Sequence, residues 1–214
     1  MLVKERMSYP VITVHPDMPI MDALNLMQKE HIRRFPVVDK RGRLVGIVSK
    51  TDMLHAAPSA ASSLSVWEVN YLVSKITIKS VMTSDVITIE GDTPLEEAAR
   101  IMADNKVGGL PVLNRGKVVG IVTETDLFKI FLEMLGAREQ GIRLAILVPN
   151  TRGELAKLTK SIFDIGGNII SLGTFLGENS ENREVTMKIE GTSANEIINA
   201  TQPFVEKLID IREI

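Results

Sequence analysis

Ser49 and Asp52 stand three residues apart in Gly46-Ile47-Val48-Ser49-Lys50-Thr51-Asp52, and Thr123 and Asp126 are spaced alike in Gly120-Ile121-Val122-Thr123-Glu124-Thr125-Asp126. Each stretch passes from β-branched apolar residues into polar ones, the pattern of a strand that ends at a helix entrance. Unpaired N–H groups at such an entrance, together with the Ser49 or Thr123 hydroxyl, make an anion or phosphate site. Asp52 and Asp126 are acceptor-only carboxylates, able to take both hydroxyls of a ribose. The same residues also suit a structural role, since Ser or Thr at a helix start commonly caps it. On one copy the cap is the stronger reading; two copies that keep both residue types favour a nucleotide.

Five of the seven positions in these stretches are identical, and the echo spreads outward. Met7-Ser8 answers to Met82-Thr83, Val11-Ile12-Thr13-Val14 to Val86-Ile87-Thr88-Ile89, and Phe35-Pro36-Val37-Val38 to Leu110-Pro111-Val112-Leu113. The offset is 75 residues up to the glycines Gly42 and Gly116, where one residue is lost and it becomes 74. A repeat of this length is a duplicated structural unit.

Each copy reads β-α-β-β-α. A short extended segment (11–14 or 86–89) leads to a helix whose apolar face is Ile20, Ala23, Leu24 and Met27, or Leu95, Ala98, Ala99 and Met102. Thr93, Pro94 and Glu96 predict a capping box with proline at the first helical position, and Asp17 is the substitute in the first copy. Strands at 35–38 and 44–48, and at 110–113 and 118–122, flank the turns at Gly42 and Gly116. Between the copies an Ala/Ser-rich loop precedes a helix built on Leu64, Trp67 and Tyr71, expected to pack across both, the alternative being a partner-binding aromatic patch. Phe128, Phe131, Leu132 and Leu135 finish the second copy, and 136–141 is a polar break.

A third unit follows with the order β-α-β-β-α-β, the ferredoxin-like arrangement. Its strands are expected at 142–148, 169–175, 184–189 and 208–214. The first helix is stopped by Gly166-Gly167, the second is opened by the Ser193/Glu196 capping box and ended near Pro203.

Composition bounds the function. The 214 residues suffice for several small cores, and 44% hydrophobic with 24% charged residues is the balance of a soluble globular protein. A net charge of −2 forces no basic surface, so nucleic acid is not expected as partner. The chain has no cysteine, which removes disulfides and thiolate chemistry and fits a reducing compartment. No apolar run approaches the ~20 residues of a membrane span, and the expected location is cytoplasmic. His15, His31 and His55 lack partners at metal spacing, and no Ser/His/Asp set or carboxylate pair stands at a catalytic spacing. Gly116-Lys117 is a hairpin turn rather than a phosphate loop. Arg33-Arg34 stands where the second copy has Gly108-Gly109; the two guanidiniums either face ligand phosphates or form a solvated helix end.

The duplicated part resembles a tandem pair of cystathionine-β-synthase-type (CBS) motifs, the Bateman module, over about residues 1–135. The resemblance implies two β-α-β-β-α units face to face (motif one with the linker helix at 1–75, motif two at 76–135) and adenine nucleotides (AMP, ADP or ATP) in two clefts. It implies ribose contacts at Asp52 and Asp126, and phosphate contacts at Ser49 and Thr123. Adenine-side contacts fall on Ile12, Thr13, Ile87, Thr88 and the residues before Phe35 and Leu110, namely Arg33, Arg34, Gly108 and Gly109. Pro36, Pro111, Thr51 and Thr125 complete the candidate binding set.

Residues 142–214 resemble the ACT regulatory domain through Pro149-Asn150-Thr151-Arg152-Gly153-Glu154-Leu155 and Gly167-Asn168-Ile169. That implies edge-to-edge pairing into a homodimer and an amino-acid ligand near Asn150, Gly153, Leu155 and Asn168. The combination is similar to the acetoin-utilisation accessory proteins, a name that gives an operon association rather than an activity. The expected function is a non-enzymatic regulator without a catalytic cofactor that senses adenine nucleotides and acts on a partner enzyme. The alternative is a ligand-free adaptor that holds that enzyme.

Overall fold

A computed structural model describes residues 1–56 and 74–214, in two compact units, Met1–Leu127 and Phe128–Ile214. The helix expected around Leu64, Trp67 and Tyr71 lies outside the described residues. Among those described, no helix is long and apolar enough to cross a membrane.

In the first unit, α1 (Ile20–Lys29), β1 (Arg34–Val38), β2 (Leu44–Ser49) and α2 (Lys50–Ala56) form the first copy. β3 (Ile89–Glu90), α3 (Leu95–Asn105), β4 (Gly109–Asn114), β5 (Lys117–Thr123) and α4 (Glu124–Met134) form the second. Each copy is an antiparallel hairpin under a helix. In the second, Arg115 and Gly116 both have positive φ, a two-residue turn that suits strand twist; the first copy uses one residue more and ties it with the Asp39 carboxylate. That residue is the lost step in the repeat offset.

The extended segment before each first helix is shorter as a strand than expected. Only Val14 bridges Val37, and only Ile89 and Glu90 pair with Val112 and Leu113. Proline is the cause. Val14 N–H donates to Pro36 O, and Val38 N–H to Val14 O, so β1 presents alternate N–H groups on that side. Pro36, two residues before Val38, has none to give, and the ladder stops. Pro111 occupies the same position in β4.

Neither first helix has the side-chain cap expected of it: Pro19 and Pro94 are the N-cap residues, and neither Asp17 nor Thr93 takes part. The first helical N–H groups are met instead by backbone from the other copy, Ile20 N–H by Ile76 O and Leu95 N–H by Met1 O. The leading segments are exchanged. Residues 1–8 dock on the second copy, with Val3 N–H on Thr93 O and Ser8 paired with Ile121, while 76–83 dock on the first, with Ile78 N–H on Met18 O and Thr83 paired with Ile47. Ile78 is fully buried in the first copy's core with Val14, Ile20, Ala23, Met27, Phe35, Val37, Val48 and Met53. The two copies are thus clasped by reciprocal backbone bonds.

The division between units falls inside α4. Asp126 and Ile130, one turn apart, are its buried positions, which leaves Phe128, Phe131 and Leu132 largely exposed rather than closing the second copy's core.

The second unit has β6 (Ile142–Pro149), α5 (Glu154–Asp164), β7 (Asn168–Leu176), β8 (Asn182–Glu190), α6 (Ala194–Thr201) and β9 (Lys207–Glu213). All strand pairs are antiparallel in the order β7-β8-β6-β9. Leu158, Ile162 and Ile197 from the helices bury against Leu144, Ile146, Val185, Met187 and Ile189 of the central strands. Gly166, with φ +79°, ends α5 as expected: Gly167 N–H reaches Ile162 O and Gly166 N–H reaches Phe163 O. Ser193 and Glu196 form the expected capping box on α6.

Candidate functional site

Sheet register gathers most of the candidate residues of each copy at one end. Arg34 pairs with Ser49 and Phe35 with Val48; Gly109 pairs with Thr123 and Leu110 with Val122. The parallel segment starts from the same end, so Ile12-Thr13 and Ile87-Thr88 lie beside the prolines that limit its ladder. The role of Pro36 and Pro111 is therefore positional: they keep the backbone of those dipeptides out of the sheet. Arg33 O accepts from Lys50 N–H at 2.9 Å, and Gly108 O from Glu124 N–H at 3.3 Å, which fixes the residues before each hairpin against the following helix. Thr51 and Thr125 are exposed on the first helical turns.

The hydroxyl and the acid of each motif meet. Asp52 Oδ2 accepts from Ser49 N–H and Ser49 Oγ, both at 2.7 Å, and Asp52 N–H returns a bond to Ser49 Oγ at 3.2 Å. Asp126 Oδ2 accepts from Thr123 N–H at 2.9 Å and from Thr123 Oγ1 at 2.8 Å. The Ser49–Asp52 pair is a reciprocal helix-start box, and in the Thr123–Asp126 pair the acid takes both donors of the threonine, so the structural reading is realised. Among the described residues these bonds use one oxygen of each carboxylate, and Oδ1 is an acceptor with two lone pairs. Asp126 is 8% exposed, a position a carboxylate rarely holds without partners.

The arginine pair is split. Arg34 does not stay with its own copy: its guanidinium lies over Gly108, where a Cβ would overlap it, and its Cδ would be 3.3 Å from a Cβ at Gly109. Its Nη2 is 3.8 Å from Glu124 Oε2. The two guanidiniums therefore do not act as a pair in one copy: Arg34 lies with the second, and Arg33 is exposed beside Lys50 in the first. Glycines at 108 and 109 leave the room that the long Arg34 side chain fills. Glu124 itself was not singled out by the sequence reading, although it replaces Lys50 in the repeated motif and was visible there.

In the second unit Asn150, Gly153 and Leu155 line one hollow with Thr151, Thr174 and Arg183. Asn150 is anchored, its N–H on Glu181 O at 2.7 Å and its amide on Ser180 O at 3.0 Å. Asn168 is not with them. It pairs with Glu190 and donates to that side chain at 2.7 Å, a full length of β8 from the Pro149–Asn182 pair, because α5 carries the chain back before β7 begins. Among the described residues no group of histidines and carboxylates could hold a metal.

The CBS-domain sequence profile matches residues 3–59 and 78–133, and the chain belongs to the CBS-domain family, as a tandem pair. It is 35% identical over 131 residues to L-aspartate semialdehyde sulfurtransferase of Methanocaldococcus jannaschii, covering 61% of this chain and 23% of that enzyme. The chain therefore spans about a quarter of that relative. It is 34% identical to a CBS domain-containing protein of Dictyostelium discoideum, covering 63% of this chain and 93% of the other.

Among solved structures, the CBS domain pair of protein MJ0100, in complex with 5′-methylthioadenosine and S-adenosyl-L-methionine, is similar at TM-score 0.52 and 34% identity, covering 65% and 98% of the two chains. A Vibrio cholerae protein assigned to acetoin utilization (AcuB) is similar at TM-score 0.53 and 31% identity, covering 65% and 96%. The protein CBSX2 in complex with AMP is similar at TM-score 0.52 and 28% identity, covering 61% and 96%.

Proposed function

We propose that the chain is a non-enzymatic, cytoplasmic regulator whose CBS pair binds adenosine ligands, with AMP, ADP and ATP as the expected class. The observation that carries this is the duplicated carboxylate, Asp52 and Asp126. Each is held by its own helix-start hydroxyl through one oxygen, and among the described residues the second is left to take ribose hydroxyls. The AMP complex of CBSX2 and the adenosine-compound complex of the MJ0100 pair support the ligand class. A ligand shifts the state of the pair only by binding one arrangement of the copies better than another. The strand exchange gives the pair a defined arrangement to shift.

In the same proposal the second unit is an ACT-type, ferredoxin-like domain that self-associates into a homodimer and takes a small ligand at the hollow by Asn150, Gly153 and Leu155. Its β-α-β-β-α-β order and antiparallel sheet support this. A partner enzyme would receive the signal. The adaptor reading has one observation in its favour: the Ser49 and Thr123 hydroxyls are already engaged by Asp52 and Asp126 of their own motifs. A panel of adenosine, AMP, ADP, ATP and S-adenosyl-L-methionine scored by melting temperature separates the two. The sensor's Tm rises, by roughly 2.7 kcal/mol of stabilisation at a hundredfold excess over Kd, and the adaptor's does not.

A further inference from the structure

From the split of the arginine pair, we propose that the second cleft selects adenosine ligands without a 5′-phosphate, with Glu124 as the determinant and Arg34 its counter-ion. This rests on reading both clefts as adenosine sites. The two clefts share their framework, because the same backbone bond ties residue 33 to Lys50 and residue 108 to Glu124. Their charges differ. Beside the Ser49 box stand Arg33 and Lys50, both exposed cations; beside the Thr123 box stand Gly108, with no side chain, and Glu124, a carboxylate.

Arg34 does not restore the balance. Its guanidinium rests on Gly108 and faces the Glu124 carboxylate, so its charge is already matched. Lys106 and His31 hold corresponding left-handed turns, with φ of 55° and 54°. Lys106 lines a hollow with Glu124, Met102, Val107 and Leu127. The group next to the Thr123 hydroxyl is therefore a carboxylate, with Arg34 as its counter-ion. A phosphate brought there meets a like charge and must displace Arg34 from Glu124, whereas an uncharged or cationic 5′ substituent meets a carboxylate. Like charges brought together discriminate strongly against the wrong ligand. In the first cleft Arg33 and Lys50 give phosphate the opposite reception.

The test is titration calorimetry on the full chain, with D52N to weaken the first cleft and D126N as its mirror. The D52N chain is expected to bind adenosine and S-adenosyl-L-methionine at least about tenfold more tightly than AMP or ATP. The D126N chain should show the reverse order. Adding E124K to D52N, at an exposed position where the fold tolerates it, should bring AMP and ATP up to or above adenosine. AMP or ATP bound by the D52N chain as tightly as adenosine overturns the proposal. So does an E124K chain with an unchanged order, or a D52N chain that binds nothing while the parent binds. If the parent binds no adenosine compound at all, the sensing function itself fails, an outcome distinct from all of these.

Discussion

Gly46 lies under the sulfur of Met82: a Cβ at position 46 would stand 2.6 Å from it and 3.1 Å from Thr83 O. Gly120 and Met7 repeat the relationship in the other copy, which makes the glycine that opens each repeated motif the seat of the exchanged segment. Substituting alanine at Gly46 should cost about 1–3 kcal/mol through overpacking. Shortening the opposing side chain should relieve it, so the G46A/M82A pair should be less destabilised than the sum of the single variants. A double-mutant cycle by urea unfolding measures this coupling; strict additivity would mean that the two residues do not meet.

The repeat was plain in the sequence because glycine, proline, hydroxyl and acid recur at fixed offsets. The exchange was not. Met7-Ser8 and Met82-Thr83 are recognisable as equivalents, but nothing in their types says which copy each will pack on. The caps on α1 and α3 were misassigned for a related reason: a backbone carbonyl arriving from another segment carries no residue signature, while Thr93 does. Pro36 and Pro111 did carry a signal, a missing donor in the middle of a strand, that shortens the neighbouring ladder. The Ser49–Asp52 pairing was legible from spacing alone. The crossing of Arg34 needs the length of its side chain set against the emptiness of Gly108, which only the fold brings together.

Lys188 is 3% exposed and donates to Gly136 O at 2.9 Å and Glu139 O at 2.6 Å, clasping the connector that precedes β6. Lys188→Met keeps the volume and removes the ammonium from both carbonyls, leaving Gly136 O only the Glu139 N–H. Hydrogen bonds from a charged group are worth ~1.5–3 kcal/mol, and a loss of about that size is expected. Amide exchange around residues 136–141 should accelerate in the variant ahead of the β6 and β8 amides; unchanged exchange there would show that the clasp is idle.

The Arg212 side chain holds the Asp210 carboxyl below the usual carboxylate range, and Arg143 of β6 adds to this across the sheet. A depressed carboxylate stabilises the fold above its unfolded pKa, about 3.9, and that contribution is lost as pH falls through the lower folded value. The melting-temperature gap between the parent and D210N should be constant from neutral pH down to about 5, then close below about 4. A gap independent of pH would place the effect of D210N in packing rather than charge.

β7 and β9 are the edges of the second sheet, and Phe175, Leu176, Leu208 and Ile209 on them are exposed. Open edges favour pairing with another copy, and twofold closure is its commonest form. Light scattering at micromolar concentration should give twice the chain mass, and L176D on β7 should halve it. A monomeric parent would remove the ACT-type edge pairing from the proposal.

Nucleotide binding through Asp52 and Asp126 is the central claim, and isothermal titration of the full chain with AMP, ATP and adenosine tests it most directly. D52N and D126N keep a side-chain oxygen for the helix-start boxes, so the fold should lose little, well under the ~1 kcal/mol of a deleted cap. Each should weaken its own cleft roughly tenfold to a hundredfold, the worth of one charged hydrogen bond, and the double variant should bind neither nucleotides nor adenosine measurably. Titrations superimposable on the parent's in the double variant, or no binding heat in the parent, would contradict the account.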